Sequence, residues 1–206
     1  MFKDYYSQNF LYCVVILFVS IIIIKEMKKR KIDFKNKIEF CKIDYIYLIK
    51  MVCLTIGTTI LLEQIQKCLN INEMQFGFEI SIYSILVFFI VRCVVAPVTE
   101  EIIIRFGLFE YLNLKLNKIS SIIITSILFS VIHGYLLYES IVMFILSIIW
   151  TYAYSKKNNI VYSIGCHFAF NIYAFICLFN INSIYVVILG VLSYILFLIL
   201  LLKKNQ

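Results

Sequence analysis

Two adjacent glutamates, Glu100 and Glu101, sit inside one of the most apolar stretches of the chain, VRCVVAPVTEEIIIRFGLFEYL, with Arg105 four residues after the second. On a helix, neighbours point about 100° apart and residues four apart lie nearly above one another. Glu101 and Arg105 can therefore pair while Glu100 projects to a different face. In a membrane helix each such charge costs about 2.5 to 3.5 kcal/mol, so three in six residues demand mutual pairing, a wet cavity and a function. The two histidines, His133 in LFSVIHG and His167 in IGCHFAFN, fall in different apolar stretches. His167 and Asn171 are four apart and share a face.

A glutamate in a low-dielectric cavity can take a proton from water, and a neighbouring histidine can fix that water, which becomes the nucleophile. A second histidine and an asparagine amide can donate hydrogen bonds to the oxyanion that forms as water attacks a peptide carbonyl. Covalent catalysis is the weaker option, because Cys166 is the cysteine beside a histidine and its helical direction diverges from that of His167. A metal is the mechanistic rival. Glu100, His133 and His167 could hold zinc with a position open for water, and residue types and spacing neither require nor exclude it. The reading favours a reaction that requires no cofactor.

These residues need elements that hold them in lipid. The 206 residues are 63% hydrophobic and 15% charged, and mean hydropathy is +0.95, outside the range of a soluble globular domain. The pattern predicts an all-α, polytopic transmembrane bundle of seven or eight segments around an intramembrane polar site. The segments fall at about 9–24, 45–62, 80–95, 97–112, 119–137, 138–154, 159–178 and 184–202. Residues 1–79 read as an N-terminal anchor region with a basic cytoplasmic loop, and 80–206 as the catalytic membrane unit. Pro97 fits the first turn of a helix, which would put both glutamates near the positive end of its dipole.

The loop Lys25–Lys50 carries nine Lys or Arg against four acids, which positive-inside topology explains; the net charge of +7 follows from such loops and does not call for a nucleic-acid partner. Residues 63–79 are slightly acidic and suit the opposite side. Arg92 reads as an interfacial, snorkelling side chain and Glu139 as a headgroup-level one. The seven cysteines show no CxxC spacing and read as small buried hydrophobes. The first apolar run leads into basic residues instead of a cleavage site and reads as an anchor.

The segments EEIIIR (Glu100 to Arg105), FSVIH (Phe129 to His133) and HFAFN (His167 to Asn171), in this order on separate apolar helices, resemble the three motifs of the CPBP intramembrane proteases. That family includes the type II CAAX prenyl endopeptidases and bacteriocin-processing enzymes. The resemblance implies an α-helical intramembrane endopeptidase of the glutamic type. In it Glu100 activates water with His133, His167 and Asn171 stabilise the oxyanion, and Glu101 and Arg105 shape and charge the site. It leaves the zinc question open. It implies a peptide or membrane-protein substrate within the lipid bilayer, and composition favours a bacterial cell membrane. A non-enzymatic immunity or scaffold protein of the same family is the alternative reading. A proton-coupled transporter is a third, against which the chain shows no duplicated halves with paired broken helices.

Overall fold

The computed structural model describes residues 2–71, 82–133, 136–177, 179 and 183–202. They form seven helical rods: α1 (Phe2–Lys29), α2 (Tyr45–Cys68), α3 (82–113), α4 (Lys118–Ile132), α5 (Leu137–Lys157), α6 (Val161–Cys177) and α7 (Ser183–Leu202), with no strand among the described residues. The chain is a helical membrane bundle. By length and composition, α2, α5 and residues 184–202 of α7 are long and apolar enough to cross a membrane, and α4 and α6 are shorter apolar helices. In hydrocarbon every backbone polar group must be satisfied within the segment, which is why such a sequence resolves into helices alone.

The third rod differs from the sequence reading. Segments 80–95 and 97–112 are not separated at Pro97: within the described part, the backbone runs helically from 82 to 113. Two π-helical stretches, Phe89–Val95 and Ile102–Phe109, flank an α-helical turn, Ala96–Glu101. Pro97 does lie in the first turn of that α stretch, but the chain before it stays wound. Ala96 N–H bonds the carbonyl of Val91, five residues back. A π turn absorbs a proline that an uninterrupted α-helix would not tolerate, because the ring's clash with the preceding turn and its missing N–H fall at a register change. The glutamates therefore sit in mid-rod, with no free helix N-terminus beside them. Their charge is met by side chains, not by a dipole end.

Small residues set how closely the rods approach. A Cβ on Gly107 of α3 would stand 2.8 Å from Cγ2 of Ile23, so glycine there lets α1 lie against α3. α7 runs antiparallel to α2, the Tyr194 ring lying on Gly57 and Ile60 on Gly190, with Thr58 Oγ1 3.2 Å from Tyr194 Oη. The main core joins Met51, Ile104, Phe129, Met143, Leu146, Trp150, Ala153, Tyr162 and Cys166 from five rods.

The basic connections gather at one end. Lys37 Nζ donates to Glu110 Oε1 at 2.6 Å and also to Asn158 Oδ1. Ile160 N–H donates to the Lys37 carbonyl at 2.8 Å, and Lys118 Nζ to the Ser155 carbonyl at 2.9 Å. Asp44 caps α2 by accepting from Tyr47 N–H at 2.9 Å and binds Lys157 Nζ at 2.8 Å. The loop after α1, the connection after α3 and the turn after α5 thus share a face, the arrangement that positive-inside topology favours. Glu100 lies thirteen residues before the end of α3, which at helical rise places it about 20 Å from that end.

Candidate active site

Glu100 stands where α1, α3, α4 and α6 meet. Its Oε1 accepts from the Tyr12 hydroxyl of α1. Its Oε2 is buried and completes no hydrogen bond of normal length among the described residues. Nε2 of His133 is 3.5 Å from it and Nε2 of His167 is 3.9 Å from it. The structure thus brings Glu100, His133 and His167 together from three rods.

Both rings are held from behind. Nδ1 of His133, at the C-terminal cap of α4, lies 2.7 Å from the Phe129 carbonyl. A carbonyl accepts only, so Nδ1 carries the hydrogen. Nδ1 of His167 lies 2.9 Å from Glu101 Oε1, and the same reasoning applies to a carboxylate. In the neutral ring each Nε2 is then a lone pair aimed at Glu100 Oε2. Three acceptors converge with no hydrogen of their own, and what suits such a place is a donor, a water molecule or one extra proton.

Glu101 faces the other way. Its side chain and that of Arg105 are both 0% exposed, and Arg105 Nη1 donates to Glu101 Oε1 at 3.0 Å. Nη2 donates to Ser147 Oγ of α5 at 2.9 Å. The guanidinium lies over Phe129, 4.6 Å from the ring centroid, and Trp150 stacks on His167 at 4.4 Å with 19° between planes. Two aromatic walls thus dry and orient the pair. Trp150 Nε1 donates to Thr55 Oγ1 at 3.3 Å, which ties this wall to α2.

Asn171 lies one turn beyond His167, and the amide bond that the structure gives it runs to main chain: Nδ2 donates to the Arg92 carbonyl at 2.6 Å. Arg92 itself is exposed, its guanidinium 5.7 Å from the Tyr12 ring centroid. Glu139 lies at the far end of α5 and accepts from Gln66 at 3.3 Å, away from the site. Cys93, Cys166 and Cys53 are buried and all seven cysteines are free thiols. Among the described residues no group of three His, Cys, Asp or Glu is arranged to hold a metal; the nearest approach is the Glu100 group itself.

Sequence reasoning missed Tyr12, Ser147 and Trp150. A tyrosine among 15 carries no local mark, and Tyr12 reaches Glu100 only through the docking of α1. Trp150, the one tryptophan, carried a faint signal in its rarity.

Residues 82–173 match the family model described as type II CAAX prenyl endopeptidase Rce1-like. The chain is also similar to the UPF0177 protein YxdF of Lactococcus lactis subsp. lactis (strain IL1403), with 31% identity over 80 residues, covering 39% of this chain and 44% of that protein. The chain thus spans less than half the length of this curated relative. No solved structure matches. The family match begins after α2, so Tyr12 lies outside it.

Proposed function

We propose that the chain is an intramembrane endopeptidase in which Glu100 activates the hydrolytic water, a reading supported by the match of residues 82–173 to the Rce1-like family model and by the similarity to the UPF0177 protein. The observation that carries this reading is the buried Oε2 of Glu100 between two histidine Nε2 atoms. Water at that point gives one hydrogen to Oε2 and the other to His133 Nε2. As its oxygen attacks a peptide carbonyl, Glu100 takes the proton and later returns it to the leaving amine. The oxyanion falls to His167 Nε2, when the ring holds a second proton supported by Glu101 at Nδ1, and to the second hydrogen of the Asn171 amide.

In this reading Glu101 and Arg105 are positioning residues. No metal is required, residues 80–206 form the catalytic unit, and α1 adds Tyr12 to it. The substrate is a peptide or membrane protein reached from a multi-pass position in a bacterial cell membrane. The test is purified full-length protein in detergent with two quenched fluorescent peptides, one ending in a farnesylated CAAX sequence and one an unprenylated transmembrane segment. Wild type should cleave at least one and Glu100→Gln neither. Equal cleavage by both proteins would overturn the role of Glu100, and none by wild type would overturn the reading in favour of a non-enzymatic role.

A further inference from the structure

Asn171 touches α3 at a point the chemistry of water does not require. Its Nδ2 lies 2.6 Å from the carbonyl oxygen of Arg92, inside the π stretch Phe89–Val95. That carbonyl has a defined deficit. Ala96 N–H bonds Val91 O, five residues back, so in the same register the next carbonyl, that of Arg92, faces residue 97. Pro97 has no N–H to give. An unserved carbonyl at membrane depth is costly, and a side chain from a neighbouring helix is one of the groups able to serve it.

We propose that Asn171 is a positioning residue: its amide supplies the hydrogen bond that Pro97 withholds from the Arg92 carbonyl, and so fixes the π turn that aims Glu100. A second tie lies beside it, Cys93 Sγ standing 3.5 Å from the Asn171 main-chain oxygen, with Cys93 wholly buried. The register matters because a change from i→i+5 to i→i+4 bonding turns every later side chain about the rod axis. Glu100 comes three residues after Pro97, before the second π stretch begins. The same amide can still offer its other hydrogen to substrate. The catalytic consequence rests on the reading of Glu100 as the base; the hydrogen bond and its structural effect do not.

The experiment measures hydrogen exchange in 89–101 of the purified full-length protein, together with cleavage of the two quenched peptides. Asn171→Asp keeps the shape and removes the donor. It should raise exchange in 89–101 by roughly tenfold and lower kcat by a similar factor with KM within about twofold. Pro97→Ala restores a backbone N–H opposite the Arg92 carbonyl. Placed on that background, Asn171→Asp should change exchange by no more than about twofold, the coupling expected of two groups that share one partner, while kcat still falls through the amide hydrogen lost to substrate. Unchanged exchange in Asn171→Asp, or an equal rise with and without Pro97→Ala, overturns the proposal. If Asn171→Asp does not fold, Asn171→Ala is taken through the same pair, and its failure to recover on the Pro97→Ala background is equally decisive. Should wild type cleave neither peptide while exchange follows this pattern, the peptidase reading falls and the positioning role stands. Should rates fall with exchange unmoved, Asn171 acts on substrate alone.

Discussion

The hydroxyl of Tyr12 donates to Oε1 of Glu100 across 88 residues of chain, and so occupies the carboxylate oxygen that does not face the histidines. The carboxylate is thereby left one oxygen for water. Tyr12→Phe removes that bond and leaves the ring. A hydrogen bond to a charged group contributes about 1.5 to 3 kcal/mol, so kcat should fall roughly ten- to hundredfold. Folded yield should stay near wild type. Initial rates on the quenched peptides check this, and an unchanged kcat would remove Tyr12 from the site.

The two glutamates should fail differently. Glu100→Gln keeps shape at a partly open side chain, so the expected outcome is loss of cleavage with a melting temperature close to wild type. Glu101→Gln leaves Arg105, wholly buried, without its charge partner. Removing one member of a buried pair costs about 3 to 5 kcal/mol, so thermal unfolding in detergent should show a large drop. Similar melting temperatures for the two variants would contradict the division of roles.

Much of this was legible in the sequence for a physical reason. Hydropathy reports the bundle because lipid forces whole helices, and the Glu101 and Arg105 spacing reports a contact because i,i+4 geometry is local. Tyr12 was not legible, since its partner is fixed by the close approach of Ile23 to Gly107 and no local pattern encodes that. The winding of α3 was misread for the opposite cause. Pro97 is a strong local signal for a helix start, and a tertiary arrangement, with an Asn171 amide on the Arg92 carbonyl, carried the helix through it. Met51 of α2 belongs to the same core as Phe129 and Trp150, another long-range contact that no local pattern encodes.

At the basic end, the Lys157 ammonium and the Tyr47 N–H hold the Asp44 carboxyl below the usual carboxylate range. An unfolded aspartate titrates near 3.9. The stabilisation from this contact is therefore full above that value and is lost as pH falls through the lower folded one. Both side chains are substantially exposed, so screening limits the effect to about 1 kcal/mol or less. Melting curves between pH 3 and 7 should show a small acid-side loss that Asp44→Asn lacks. An identical pH dependence in the variant would rule out this contribution.

If water is activated by the carboxylate with no metal, cleavage should survive prolonged treatment with 1,10-phenanthroline or EDTA, and added zinc should not raise it. Activity that vanishes with chelator and returns with zinc would instead assign Glu100, His133 and His167 as ligands.

Gly107 offers a test of how α1 enters the site. A side chain there must displace Ile23, whose Cγ2 would lie 2.8 Å from the new Cβ. Because Ile23 and Tyr12 belong to one rigid helix, Gly107→Val should move the hydroxyl off Glu100 and lower kcat by at least as much as Tyr12→Phe. The two changes act through one contact, so the double variant should be no slower than Gly107→Val alone. Independent, multiplicative losses in kcat would show that α1 docking and the Tyr12 bond are separate contributions.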